Sequence, residues 1–251
     1  MKELLDLAIG LVEQAASGIN KIRAGGFEVT TKTDSTPVTI ADQQAEALIN
    51  AGLRAATPDI PVIAEEEVAA GIITAPADCY WLVDPLDGTR EFAAGRDEFA
   101  VCIGLVKQGV PILGAVASPA LGEVHFGWVG HGAWRRKRGS EEKISCRAAP
   151  PEGLTVFASR HHQSAPELQA CLSKYKVAHL TNIGSALKFL RLAEGVADFY
   201  PRLGPTMEWD TAAPQAILVA AGGAVLTADG GPLSYGKPGW YNPSFFAWGQ
   251  Q

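Results

Sequence analysis

Two aspartates three residues apart, Asp84 and Asp87, follow an apolar segment of the chain, and Gly88 and Thr89 come directly after them. Two carboxylates at close range repel each other and repel phosphate, so their convergence is costly unless divalent cations neutralise them. Ligation by oxygen atoms alone favours magnesium. A glycine lets the backbone approach a ligand, and free amides at a turn bind phosphate oxygens. The segment indicates a phosphate held by metal, although an ordinary surface turn explains these residues about as well on their own.

The apolar segments before the acidic residues have the length of buried strands. Residues 80–83 predict a strand that delivers Asp84 to a loop, where Pro85 prevents the sheet from continuing. Residues 60–64 predict another short strand, and this one ends in the acidic run 65–67. A solvated loop would also explain that run.

Two further aspartates lie at predicted helix starts. Asp210 stands at the start of an apolar helix that runs to the glycine pair 222–223, and a helix N-cap would explain it. Asp42 follows Thr39 by three residues, which is the pattern of a capping box, with an apolar helix face behind it. Both explanations of Asp42 are compatible, because a helix N-terminus can cap itself and still present a carboxylate to a site.

Taken together, the segments PVIAEEE, WLVDPLDGTREF and EWDTAA closely resemble those of the metal-dependent, lithium-sensitive phosphatases. These include inositol monophosphatases, fructose bisphosphatases and bisphosphate nucleotidases, and the order and spacing agree along nearly the whole chain. The resemblance implies an α/β fold, a layered αβαβα sandwich of the inositol monophosphatase and fructose bisphosphatase type. It also implies two or three Mg²⁺ in each active site, and hydrolysis by an activated water.

The resemblance implies a set of site residues, position by position. The metal ligands would be Glu65, Asp84, the carbonyl of Leu86, Asp87 and Asp210. Thr89 matches the threonine that helps to orient the attacking water, and Asp42 matches its partner aspartate. The side chains and backbone groups expected at the bound phosphate are those of Glu65, Leu86, Asp87, Gly88, Thr89 and Asp210.

A second phosphate site is predicted near residues 182–189. The pair Gly184-Ser185 precedes a predicted helix with Lys188 one turn in, and free amides, a hydroxyl and an ammonium would suit a phosphate. An ordinary N-cap followed by a surface lysine is the simpler physical explanation. The segments GSALKF and FYPRLGP resemble the bacterial 3'(2'),5'-bisphosphate nucleotidases, and this implies Ser185, Lys188 and Arg202 as substrate ligands.

Such enzymes remove the 3'-phosphate from adenosine 3',5'-bisphosphate, a by-product of sulfate assimilation. An inositol or sugar monophosphatase is the alternative activity. A non-catalytic nucleotide- or metal-binding regulator is a third hypothesis, and it would need the metal ligands but not Thr89 and Asp42. The resemblance also draws attention to Lys32 and Asp34, for which a solvated loop is an equal explanation. His161 and His162 either face a nucleotide or face solvent.

Composition agrees with a small-molecule enzyme. The chain has 251 residues, 47% of them hydrophobic, and a net charge of −6, which disfavours binding of a nucleic acid polymer. We expect a single phosphatase domain over 1–251, with a division near 130–155 if it consists of two packed halves. Four separated cysteines fit a reducing cytoplasm.

The expected partner is a small phosphorylated nucleotide, and we expect no transmembrane segment and either a monomer or a homodimer. Residues 134–138 form the one basic cluster, expected at the rim of a hairpin. That cluster leaves open a peripheral association with the cytoplasmic face of the inner membrane.

Overall fold

The computed structural model describes residues 1–31, 37–160 and 164–250. Its α-helices are α1 (Lys2–Gly25), α2 (Ile40–Ala56), α3 (Glu65–Ala69), α4 (Thr89–Ala93), α5 (Ala165–Leu172), α6 (Leu187–Ala193) and α7 (Glu208–Ala220). Short 3₁₀ helices cover Pro119–Leu121 and Pro238–Trp240.

Two sheets dominate the fold. The larger contains, in spatial order, β3 (Val62–Ala64), β4 (Cys79–Asp87), β5 (Ala100–Lys107), β6 (Val110–Ser118), β7 (Glu123–Trp128), β8 (Gly132–Lys137) and β9 (Ser140–Ile144). The smaller contains, in spatial order, β11 (Val177–Asn182), β10 (Leu154–Ala158), β12 (Phe199–Arg202), β16 (Phe245–Trp248) and β14 (Ala224–Thr227). The remaining strands form two short antiparallel pairs, β1 (Val29–Thr31) with β2 (Pro37–Thr39) and β13 (Thr206–Met207) with β15 (Tyr241–Asn242).

Five layers of helices and sheets pack together through three hydrophobic cores. The first core joins α1 and α2 to one face of the larger sheet, and Trp81 is fully buried in it. The second lies between the other face of that sheet and the smaller sheet, and it contains α6 and α7. The third packs α5 on the outer face of the smaller sheet, through Val156, Leu172 and Phe199. Each element thus buries its apolar face against a neighbouring layer. The predicted αβαβα sandwich is confirmed.

The strand that carries the two aspartates is longer than predicted. Residues 80–83 are strand as expected, but β4 continues across Pro85 to Asp87. Asp84 lies opposite Cys102 and Asp87 lies opposite Ala100, with an irregular register between the two pairs. A bulge needs no regular ladder hydrogen bond, so it accommodates a proline. The prediction that Pro85 ends the strand was wrong for this reason.

Helix α7 lies unusually close to the larger sheet. A Cβ atom placed on Gly114 would lie 2.2 Å from the carbonyl oxygen of Ala213, and one on Gly104 would lie 2.7 Å from the amide nitrogen of the same residue. Only glycine permits this approach of helix backbone to strand backbone. The two glycines therefore fix the depth of α7, whose first turn carries Asp210.

The larger sheet uses residues 62–144 and the smaller one uses residues 154–248. Helix α7 belongs to the second range but packs on β5 and β6 of the first. The single domain over 1–251, with its division near 130–155, stays a prediction. The basic cluster 134–138 lies at a hairpin rim as expected, where Arg136 pairs with Glu141 at 3.0 Å. None of the helices described here has the length and apolar character needed to cross a membrane.

Candidate active site

The acidic run and the first aspartate lie side by side where the pairing of two parallel strands ends. Ala64 at the end of β3 pairs with Val83 in β4. Glu65 follows β3 directly, and Asp84 is the next residue after Val83 within β4, which itself continues to Asp87. The two carboxylates are therefore brought together by strand pairing, although 19 positions separate them in the chain.

Asp84 is held in a tight turn and is 1% exposed. Its Oδ1 accepts a hydrogen bond from the amide of Leu86 at 2.9 Å, which orients the carboxylate. The carbonyl of Leu86 accepts a hydrogen bond from the hydroxyl of Thr89, also at 2.9 Å. Burial raises the pKa of Asp84 well above its usual value, and the nearby charges of Glu65, Asp87 and Asp210 raise it further.

Asp87 is held from the second half of the chain. Its Oδ2 accepts a hydrogen bond from the hydroxyl of Ser185 at 2.7 Å and another from the amide of Ala186. Ser185 adopts a left-handed backbone with φ of 61°. Helix α6 begins at Leu187, so Ser185 is not its N-cap and Lys188 lies in its first turn, not one turn in. Both expectations were wrong, because the serine hydroxyl is used to hold Asp87.

Asp210 is the third residue of α7, and Met207 is the N-cap. The carboxylate of Asp210 accepts the amide proton of Met207 at 2.9 Å. The interpretation of Asp210 as the N-cap was therefore wrong, although it does satisfy one amide at the helix start. Burial, followed by the charge of Asp87, raises the pKa of Asp210 to about 8.

Asp42 contacts both the start of α2 and Thr89. Its Oδ2 accepts the amide and the hydroxyl protons of Thr39, each at 2.7 Å, which completes the capping box of α2. Its Oδ1 lies 3.0 Å from the hydroxyl oxygen of Thr89. Asp42 is buried behind Thr89, and burial raises its pKa despite the hydrogen bonds from Thr39 and Thr89.

One pocket brings most of the predicted residues together. Its lining includes Glu65, Asp84, Leu86, Asp87, Gly88, Thr89, Ser185, Lys188, Arg202 and Asp210. Gly88 has φ of 91°, and a Cβ there would lie 2.8 Å from the carbonyl oxygen of Glu98, so this tight turn requires glycine. The structure thus places residues from both halves of the sequence around one opening.

Lys188 and Arg202 are buried on the wall of this pocket. The ammonium of Lys188 donates to the carbonyls of Ser185 at 2.7 Å and Ile183 at 3.2 Å, which uses two of its three donors. The guanidinium of Arg202 donates to Ser159 at 2.7 Å, to the carbonyl of Gly204 at 3.1 Å and to that of Pro205. Lys188 is therefore not a surface lysine. Lys32, Asp34, His161 and His162 lie outside the described residues.

Two buried glutamates that the sequence analysis missed support the site from behind. Glu208, fully buried, accepts the amide protons of Gly236 at 2.8 Å and Lys237 at 2.9 Å. Glu46 accepts those of residues 66 and 67. Glu46 lies one helical turn after Asp42 on the buried face of α2. A charged residue on an apolar helix face is the signal that could have identified it.

A second acidic group lies elsewhere, between the larger sheet and α6. The ligand atoms of Glu123, His125 and Glu194 all lie within 4.8 Å of one another. Arg191 donates to Glu123 at 2.8 Å and to Glu194 at 2.7 Å, and Lys137 donates to Glu123 at 2.6 Å. We call these five residues the ion-pair cluster. Its arginine and lysine already neutralise its carboxylates.

Asp84, Asp87 and Asp210 differ in this respect, and we call these three residues together with Glu65 the carboxylate cluster. Within the part of the chain that the structure describes, Asp84, Asp87 and Asp210 form no salt bridge. Buried carboxylates without a paired cation favour protonation or a bound metal. A donor set of oxygen atoms alone suits a hard divalent cation. The residues present therefore fit a magnesium site.

Comparison with known proteins identifies the family. Residues 1–248 match the inositol monophosphatase family. The chain is 41% identical over 245 residues to the 3'(2'),5'-bisphosphate nucleotidase CysQ of Escherichia coli strain K12. The aligned residues cover 96% of this chain and 98% of that protein. It is 42% identical over 245 residues to CysQ of Salmonella typhimurium strain LT2, with the same coverage of 96% and 98%.

Solved structures give the same result. The crystal structure of CysQ from Bacteroides thetaiotaomicron superposes with a TM-score of 0.82 at 32% identity, over 99% of this chain and 98% of that one. The Thermotoga maritima IMPase superposes with a TM-score of 0.82 at 26% identity, over 99% of this chain and 92% of that one. The chain therefore belongs to the inositol monophosphatase family, as a CysQ-type member.

Proposed function

We propose that the protein is a magnesium-dependent 3'(2'),5'-bisphosphate nucleotidase that hydrolyses the 3'-phosphate of adenosine 3',5'-bisphosphate to AMP and phosphate, a reaction linked to sulfate assimilation. The observation that carries the proposal is the arrangement of one pocket. The carboxylate cluster lines this pocket together with the buried cations Lys188 and Arg202. With metal bound at the carboxylates, the metal and the two cations would each serve one phosphate of a substrate that carries two. The CysQ relatives support the same substrate class.

The metal ligands would be the four carboxylates of the carboxylate cluster and the carbonyl of Leu86, and we expect two or three Mg²⁺. Bound magnesium would neutralise these carboxylates, activate a water and stabilise the leaving oxygen. The charges of Glu65, Asp87 and Asp210 all act on Asp84, so it is the residue we expect to serve more than one ion. The turn bond from the amide of Leu86 holds Asp84 in a single orientation for this role.

Thr89 and Asp42 would orient the attacking water. A hydroxyl has one proton and two lone pairs. When Thr89 gives its proton to Asp42, 3.0 Å away, its oxygen can accept a proton from a water in the pocket. Asp42 does not line the pocket and acts through Thr89. Because the Asp42 carboxylate is also fixed by Thr39, the direction of the Thr89 hydroxyl is set by the start of α2.

Lys188 and Arg202 would serve the phosphate that is not hydrolysed, whereas Ser185, which gives its hydroxyl proton to Asp87, would hold that metal ligand in place. The hydrogen bonds described above use two of the three N–H donors of Lys188 and three of the five of Arg202. One donor of Lys188 and two of Arg202 are therefore left for a phosphate. Charge-assisted contacts to a second phosphate lower the barrier only for a substrate that carries one. We place the enzyme in the cytoplasm, as a monomer or homodimer.

The test is a comparison of substrates. We expect a higher kcat/KM for adenosine 3',5'-bisphosphate than for adenosine 3'-monophosphate or inositol 1-phosphate. Lys188→Ala should remove part of the advantage over the monophosphate, about 1–3 kcal/mol for a charged hydrogen bond. Turnover of the monophosphate by the same variant measures any disturbance of the Ile183–Ser185 backbone. Equal losses on both substrates would make Lys188 a purely structural residue.

The competing activity is that of an inositol or sugar monophosphatase, and the TM-score of 0.82 to the Thermotoga maritima IMPase is the observation that favours it. A preference of the unmodified protein for inositol 1-phosphate would overturn the nucleotidase proposal in favour of this activity. Absence of turnover on all three substrates, together with Mg²⁺ binding, would favour the non-catalytic regulator.

A further inference from the structure

Glu46 is a buried carboxylate outside the pocket that no step of the proposed reaction uses. It lies on α2 and is 5% exposed. Its Oε2 accepts the amide proton of Glu66 at 2.7 Å, and its Oε1 accepts that of Glu67 at 2.8 Å. Both oxygens of one carboxylate are thus directed at two successive backbone amides of α3.

These amides belong to the helix that begins with a predicted metal ligand. Helix α3 has five residues and starts at Glu65, and its N-cap, Ala64, provides no side-chain cap. The first amides of a helix lack partners within it, so a short helix without a cap has a weakly defined start. Glu46 supplies the missing acceptors from a neighbouring helix. The position of α3 relative to α2 is therefore fixed immediately after Glu65.

Helix α2 also fixes the other side of the proposed site. Asp42, four residues before Glu46, reaches the hydroxyl of Thr89. One 17-residue helix thus holds the water-orienting threonine through Asp42 and the start of α3 through Glu46. The two carboxylates lie one turn apart on the same face, so their relative position is rigid.

Burial of Glu46 has a clear energetic penalty. Desolvation raises its pKa to about 7, and the charges of Glu66 and Glu67 also raise it, whereas the two backbone hydrogen bonds lower it. An apolar residue would avoid the penalty and would pack against Ala45 and Ile49, which are buried on the same helix. A carboxylate here is explained by what its two oxygens hold.

A second contact between the same helices provides a contrast. Arg54 of α2 donates two hydrogen bonds to the side chain of Glu67, at 2.8 and 2.7 Å. Its side chain is 49% exposed, so the pair contributes little to stability. This contact holds a side chain of α3, whereas Glu46 holds its backbone.

We propose that Glu46 is a positioning residue for Glu65: it anchors the amides of residues 66 and 67, which follow Glu65 in α3, so that the Glu65 carboxylate is presented to Mg²⁺ in the pocket. This inference rests on the proposed function, since it requires Glu65 to be a metal ligand. Groups that hold metal ligands in place typically change metal affinity or activity by about 10- to 100-fold when altered.

The test is Mg²⁺ binding by isothermal titration calorimetry to the substrate-free protein, with kinetics as a second measurement. Glu46→Gln retains size but offers only one acceptor oxygen to two amides. Glu46→Asp retains the charge but is one methylene too short to reach both. Each should weaken Mg²⁺ binding about 10- to 100-fold. Each should also raise the Mg²⁺ concentration needed for half-maximal kcat, with KM for the substrate unchanged at saturating Mg²⁺.

Arg54→Gln is the matched control, and its Mg²⁺ affinity should stay within about twofold of the unmodified protein because it removes an exposed pair. Unchanged Mg²⁺ affinity in both Glu46 variants would overturn the positioning role. Unfolding of both variants where Arg54→Gln remains folded would overturn it in favour of a purely structural role. Failure of the unmodified protein to bind Mg²⁺ would instead refute the proposed function, so the two failures are distinguishable.

Discussion

The ion-pair cluster and the carboxylate cluster have opposite electrostatics. In the ion-pair cluster, hydrogen bonds and charges from His125 and Arg191 outweigh burial and lower the pKa of Glu194 to about 2. In the carboxylate cluster, burial and like charges raise the pKa of Asp84 and Asp210. The ion-pair cluster is the tighter arrangement of ligand atoms, yet it is already neutralised. The proposal therefore places the metal at the carboxylate cluster, where the pKa values are raised, and not at the more closely spaced ion-pair cluster.

The largest expected effect is on the carboxylate cluster. Asp84→Asn should lower kcat/KM by about 10³-fold or more, equivalent to about 4 kcal/mol. The reason is that it removes the charge of the residue on which the charges of Glu65, Asp87 and Asp210 all act. The measurement is phosphate release at saturating Mg²⁺. Asp87→Asn is the comparison and should lose less. Full activity of Asp84→Asn would separate this cluster from catalysis.

The matching change in the ion-pair cluster should act on stability alone. Glu194→Gln removes one of the two carboxylates that Arg191 pairs with, and breaking a buried pair costs about 3–5 kcal/mol of the free energy of unfolding. Urea denaturation measures this loss, and kcat should be unchanged at a temperature where the variant is folded. Glu142→Gln is the control, because Glu142 pairs with Arg135 at the surface and is 55% exposed. Its effect should be below about 1 kcal/mol. A loss of Mg²⁺-dependent activity in Glu194→Gln would contradict the separation of the two clusters.

The two clusters should give opposite pH dependences in the metal-free protein. Glu194 has a folded-state pKa of about 2, below its ordinary value of 4.5, so its contribution is present above pH 4.5 and lost as the pH falls towards 2. That loss is about 3 kcal/mol. Asp210 has a folded-state pKa of about 8, above its ordinary value of 3.8, so ionisation destabilises the fold as the pH rises through this interval. Stability measured by chemical denaturation in chelator should therefore fall on both sides of a maximum near pH 4. A monotonic rise from pH 4 to 8 would contradict the raised pKa of the carboxylate cluster.

The smallest expected effect concerns the helix that carries Asp210. Gly114→Ala forces a methyl group against the backbone of Ala213 and should cost about 1–3 kcal/mol of stability. Activity should fall as well, since α7 must move. Gly18→Ala in α1 is the control, because nothing lies within 4 Å of the added methyl group. It should be neutral or stabilise by up to about 1 kcal/mol. Equal melting temperatures for both variants would show that α7 tolerates displacement.

The sequence predicted those parts of the site that depend on local patterns. Apolar runs ending in Glu65 and Asp84, and the capping box at Thr39 and Asp42, follow from strand and helix periodicity. The resemblance supplied the grouping of these residues, which periodicity alone could not. Neither the local patterns nor the resemblance indicated the buried glutamates behind the site, Glu46 and Glu208.

What could not be predicted depends on contacts between distant segments. Arg191 meets Glu123 across 68 positions, and Ser185 meets Asp87 across 98. Nothing local marks Ser185 as a residue with positive φ, and its hydroxyl was expected to bind a phosphate or, alternatively, to cap a helix. The bulge at Pro85 depends likewise on the register with β5.

The most direct test of the account is the effect of Mg²⁺ on the melting temperature of the substrate-free protein and of Asp84→Asn and Glu194→Gln. A ligand that binds only the folded state raises the melting temperature, and the rise increases with the ratio of ligand concentration to Kd. The account predicts a clear rise for the unmodified protein and an equal rise for Glu194→Gln from a lower starting point. For Asp84→Asn it predicts a starting point at or above that of the unmodified protein, and almost no rise. An equal rise in all three proteins, or loss of the rise in Glu194→Gln, would contradict it.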